Sequence, residues 1–168
     1  MNTPVNIATL HASIKAALAA QFPAAVVDYY PRPGDKITTP AIFIELDDIQ
    51  AANPADIGTD QTPVTLRFNA YCVDSYRTGK KLAVRTMAAA VLHFVNSHRW
   101  GCPVGAGNAV AATPDRFQGD TQEYEVMRVE WEHEALLGID SWIDDGDPPD
   151  EVNVSEQGNA QATIYPEQ

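Results

Sequence analysis

From Tyr124 to Leu137 apolar and polar side chains alternate almost without a break, and no other feature narrows the choice of fold as much. Met127, Val129, Trp131, His133, Ala135 and Leu137 form one face of this run. Glu123, Glu125, Arg128, Glu130, Glu132 and Glu134 are expected mainly on the other. The segment is too charged at alternate positions for a helix. A period of two sustained this long predicts an antiparallel strand with one buried side and one solvated or partner-facing side.

The preceding chain supplies what such a strand needs. Ile7, Leu10, Ile14, Ala17 and Leu18 recur at three- and four-residue steps, which predicts a helix from about Val5 to Gln21, ended by Pro23. Ala25–Tyr30 reads as a short strand stopped by the turn residues Pro31-Arg-Pro-Gly34. Ala41–Asp47 is a second strand, with Ile42, Ile44 and Leu46 opposite Phe43, Glu45 and Asp47. After a loop over 51–63, Val64–Val73 alternates again, placing Val64, Leu66, Phe68, Ala70 and Cys72 inward. Asp74 or Ser75 is expected to cap a helix from about Tyr76 to Ser97, whose apolar face is Val84, Met87, Ala88, Val91, Phe94 and Val95. A glycine-rich connector leads to a short strand near Ala109–Thr113. The order α-β-β-β-α-β-β predicts an α+β domain over residues 1–142, a mostly antiparallel sheet with two helices on one face. Residues 143–168 hold seven acids and three prolines, and are expected to form an extended or flexible acidic arm.

Charge is unevenly placed. All eleven Lys and Arg lie at or before Arg128, against twelve acids there, which leaves −1; residues 129–168 carry the other eleven acids and no base. Nucleic-acid binding draws on Lys and Arg to release counterions, so this balance argues against a DNA or RNA partner. No apolar run approaches membrane-spanning length, and no basic stretch leads into an apolar one at the N-terminus, so a cytosolic protein without a membrane partner is expected. Cys72 and Cys102 make no metal or redox spacing and are expected to stay reduced.

Catalytic signatures are missing: no phosphate loop, nucleophile elbow, dinucleotide fingerprint or His-Glu-x-x-His pair. No catalytic residue, cofactor or metal ligand is assigned. The acid cluster Asp144-Asp145-Gly146-Asp147 with Asp150 and Glu151 fails a calcium loop, because aligning Gly146 puts Val152 where a bidentate Glu is needed. In Glu132-His133-Glu134 neighbours point to opposite faces, so His133 reads as a satisfied core or edge histidine. Asp47 and Asp48 with Glu45 are what a small metal-assisted hydrolase would use, an alternative from a different functional class.

Two sets of residues read as protein-contact surface. Arg77, Lys81 and Arg85, with Lys80 beside them, form a basic stripe on the second helix, and Glu125, Glu130, Glu132 and Glu134 offer a complementary acidic row. In a single copy both sets read equally as solvated faces; between copies they are expected to dock head to tail, the kind of contact that closes rings. In the arm, Val152, Val154, Ile164 and Tyr165 are the groups expected to dock.

An amphipathic helix leading to Tyr29-Tyr30-Pro31, the strand Thr38–Leu46, the strand Thr65-Leu-Arg-Phe that enters a long helix, and a late strand through Trp131 to Leu137-Gly138 together resemble the tail terminator and tail-completion (minor tail) proteins of long-tailed bacteriophages. The resemblance covers about residues 5–142 and rests on element order and strand texture. It implies a structural virion protein, assembled in the host cytoplasm as a homo-oligomeric ring, often a hexamer. Such a ring caps the tail tube protein and faces the head–tail connector protein. Another connector subunit or a baseplate component is the nearest alternative.

Overall fold

Alternation at period two becomes a ladder only where a second strand matches it, and the two longest alternating runs match each other. In a computed structural model, which describes residues 3–31, 37–52, 58–76, 81–115, 124–140, 152–154 and 162–164, the elements are α1 (Ile7–Gln21), β1 (Val26–Tyr29), β2 (Ala41–Ala51), β3 (Thr62–Ser75), α2 (Lys81–Val95), β4 (Asn108–Asp115), β5 (Tyr124–Leu137), β6 (Val152–Val154) and β7 (Ala162–Ile164). The class is α+β, and the body follows the expected α-β-β-β-α-β-β order. β3 and β5 pair along their whole length, from Thr62 opposite Leu137 to Ser75 opposite Tyr124. They form the centre of a five-stranded sheet of order β1-β2-β3-β5-β4. β1 is parallel to β2 and every other pairing is antiparallel.

Both helices lie on one face. Leu10, Ile14 and Leu18 of α1 and Val84, Ala88, Val91 and Val95 of α2 are fully buried in one cluster with Ile42, Ile44, Leu66, Phe68, Ala70, Cys72, Val129 and Trp131. Burial of this kind stabilises by roughly 1.5–3 kcal/mol per large side chain and drives the layer together. Asn6 caps α1, its side chain accepting from the Thr9 N–H at 2.9 Å. Val5 lies outside the helix, since its N–H donates to the Leu136 carbonyl at 3.0 Å and extends the pairing of β5.

Three local expectations are corrected. β2 does not stop at Asp47: a register shift between Leu46 and Asp48 absorbs one residue, and pairing resumes through Ala51 opposite Val64. β3 does not stop at Val73: Asp74 and Ser75 continue it opposite Glu125 and Tyr124, because β5 is long enough to hold them, while residues 77–80 ahead of α2 lie outside the described residues. Phe43 and Tyr71, read as facing away from the core, do point outward. They are nonetheless buried, in a second small cluster with Ala41, Val73 and Val126 that Tyr30, Ile37 and Tyr124 flank.

The connector after α2 is held by close backbone contacts. Gly107 donates to the His98 carbonyl at 2.8 Å and accepts from the Ser97 N–H at 2.6 Å. A Cβ at Gly107 would run into the Val95 carbonyl and crowd the His133 ring. Gly107→Ala is therefore expected to cost about 1–3 kcal/mol of overpacking, measured by denaturant unfolding. A cost under about 0.5 kcal/mol would show that the connector can move aside.

In the arm, Val152–Val154 and Ala162–Ile164 are extended and pair with each other, antiparallel, as a separate two-stranded sheet, with Val152 opposite Ile164 and Val154 opposite Ala162. The acidic run 144–151 and Tyr165 lie outside the described residues.

Candidate functional site

The face of the sheet away from the helices carries the charges that the alternation placed there. Arg67 on β3 stands directly opposite Glu132 on β5. Its Nε and Nη2 donate to Glu132 Oε1 at 3.0 and 2.7 Å. The same guanidinium reaches Glu130 Oε1 at 3.6 Å. Arg128 lies between Glu130 Oε2 at 3.8 Å and Asp115 Oδ2 at 3.6 Å. The Tyr71 hydroxyl donates to Glu45 Oε2 at 3.1 Å, and burial beside that carboxylate pushes the phenol pKa up. Between Glu45 and Glu130 in register is Asn69, buried, with neither end of its amide hydrogen-bonded.

This lattice redefines the acidic row. Glu130 and Glu132 are engaged by arginines of their own chain, while Glu134 is exposed. Glu125 does not belong to the row. Pairing is unbroken along β5, so its odd position puts it on the side of Met127 and Val129, opposite Asp74. On α2, Lys81 and Arg85 are exposed, with Lys81 Nζ 5.9 Å from the Tyr76 ring centre. Arg77 and Lys80 lie outside the described residues. α2 packs on one face of the sheet and the Glu130–Glu134 side chains project from the other, so one copy does not bring the two sets together.

His133 sits on the helix side of β5, buried, and both of its ring nitrogens are occupied. Nδ1 lies 2.9 Å from the Gly105 carbonyl and must carry the proton to donate to it. Nε2 accepts the indole N–H of Trp100 at 2.7 Å and of Trp131 at 3.1 Å. Burial, partly offset by the Gly105 hydrogen bond and reinforced by nearby His98, holds its pKa below the ordinary histidine value. This is a satisfied core histidine, as its strand parity suggested. It is a neutral clamp between β5 and the connector after α2.

A groove of about 590 Å³ opens beyond the end of β4, lined in part by Thr65, Arg99, Cys102, Gly105 and Glu134. Arg99 Nη1 donates to the Val104 carbonyl at 3.1 Å, and Cys102 Sγ is 3.7 Å from Ser13 Oγ. No nucleophile lies beside a base within hydrogen-bond reach in this lining. Asp47 and Asp48 are exposed at the bulge of β2, and among the described residues no three His, Cys, Asp or Glu side chains converge to hold a metal ion. The same described residues include no helix long and apolar enough to cross a membrane.

Two residues that organise these surfaces escaped the sequence reading. Arg67 was visible only as an outward position on β3; its role depends on standing opposite Glu132, which is a matter of register. Trp100 lay in an unpatterned connector, and its partner is 33 positions away in the chain. No family model matches the chain, and no curated protein matches it.

Proposed function

We propose that this chain is a structural subunit of a homo-oligomeric ring, resembling the tail terminators of long-tailed phages, which would cap the tail tube protein and face the head–tail connector protein in the virion. One observation carries the reading. Five of the seven exposed large apolar side chains among the described residues lie toward the two lateral ends of the domain: Val26, Tyr29 and Ile49 on β1 and β2, Leu82 and Val110 on α2 and β4; the other two, Tyr76 and Ile139, follow the inner strands β3 and β5. Different patches at opposite ends suit a head-to-tail contact, and such contacts close into rings when the rotation permits. The broad outer face supports this too, because its charges are largely paired within the chain. Lys81 and Arg85 remain available on α2; exposed pairs contribute only about 0–1 kcal/mol each, so they would set specificity rather than strength.

Native mass spectrometry and negative-stain electron microscopy of the purified protein test the reading. A single closed ring size, with a hexamer favoured, is expected, and the ring should arrest elongation when added to polymerising tail tube protein. A monomer at every concentration tried would overturn it.

A further inference from the structure

The sheet ends on two strands of unequal reach. β1 pairs with Ala41–Ile44 of β2, so among the described residues the β2 backbone from Glu45 to Ala51 is paired on its β3 side alone. From Asp47 onward this free half is exposed, and Ile49 shows 47% of its surface. At the other end β4 pairs, among the described residues, with β5 alone, and Val110 on it is 49% exposed. An open row of N–H and C=O groups is a template for another strand.

Charge selects which strand. Two β2 edges brought together would set Asp47 and Asp48 against their own copies, and like charges facing each other across a ladder are destabilising. β4 carries one charge, Asp115 at its end, which the proposed register brings level with Glu45; the Asp115 carboxylate already has Arg128 Nε of its own chain at 3.6 Å, and the rest of the strand, Asn108–Pro114, is uncharged. Direction also agrees. β4 is antiparallel to β5, β5 to β3 and β3 to β2, so a copy related by rotation about a ring axis presents β4 antiparallel to β2.

We propose that β4 of one copy adds to the free half of β2 in the next copy, so that the sheet continues from subunit to subunit; this rests on the ring reading above. Register sets the geometry. Through Val126 and Val73, Asp115 is level with Ala41; through Glu132 and Arg67, Asn108 is level with Asp48. Because β1 occupies the first four residues of β2, the incoming β4 must sit about four residues higher. A stagger of about 13 Å across five strands about 24 Å wide inclines the strands by about 30° to the ring axis, close to the tilt of closed barrels. In that register Ile49 and Val110 meet and are covered.

The test uses the full chain with Cys102→Ser, carrying Ile49→Cys and Val110→Cys together or singly. Under mild oxidation the double variant is expected to give a ladder of disulfide-linked species ending at the ring size, and each single variant none. Hydrogen exchange on the unmodified protein gives a second readout: amides of 45–51 and 108–115 should slow by at least tenfold in the ring relative to dissociated subunits. An intact ring with neither ladder nor protection overturns the edge pairing and leaves the ring standing. Crosslinking of Val110→Cys alone shows β4 meeting β4 and also overturns it. A monomer in native mass spectrometry removes both.

Discussion

Trp131→Ala is expected to produce the largest loss of stability of any single truncation in the sheet, about 3–5 kcal/mol. Trp131 is fully buried at the centre of β5 and stacks on Phe68 of β3, with ring centres 5.5 Å apart and planes at 16°. Removing it opens a cavity between the two strands that carry the sheet, and takes one of two indole donors from His133. The surrounding side chains come from a sheet and two helices that cannot collapse without moving each other. For a chain of this size the loss corresponds to a fall in melting temperature of about 10 °C or more, read by circular dichroism. A fall under about 3 °C would mean the core repacks around the gap.

Acidification is expected to destabilise the subunit through His133. Protonating Nε2 would place a hydrogen between the ring and the indole N–H groups of Trp100 and Trp131, both of which already donate to that atom. The folded state therefore keeps the imidazole neutral, below its ordinary pKa of about 6.5. In the unfolded chain the ring takes up a proton near that value. The unfolded state thus binds more protons between the two pKa values, so stability falls as pH drops below about 6.5, with a slope of up to about 1.4 kcal/mol per pH unit. His11, also held low by burial, adds in the same direction. In His133→Phe the acid-dependent part assigned to His133 should vanish. At pH 7.5 the variant should lose about 2–4 kcal/mol, because two buried indole N–H groups are left without an acceptor. Denaturant unfolding of both proteins at pH 7.5 and 5.5 measures the two effects together. Equal losses on acidification would show that His133 is not the titrating group.

Local pattern was enough for the α+β class, the element order and the inward face of nearly every element. A period of two needs only the residues themselves, and a strand with Val64, Leu66, Phe68, Ala70 and Cys72 on one side has one way to be buried. The parity of His133 likewise placed it inside. Pairing decided the rest. Register set Arg67 against Glu132 and turned the expected docking row into a face largely satisfied within the chain. The bulge at Asp47 lengthened β2 beyond what alternation suggested, and β5 carried β3 past Val73 to Asp74 and Ser75. The two edges left unpaired among the described residues are a property of strand order, which no stretch of sequence encodes by itself. Which strand lies outermost, and how much of it a neighbour covers, depends on contacts between residues far apart in the chain, and those form only when the layers pack.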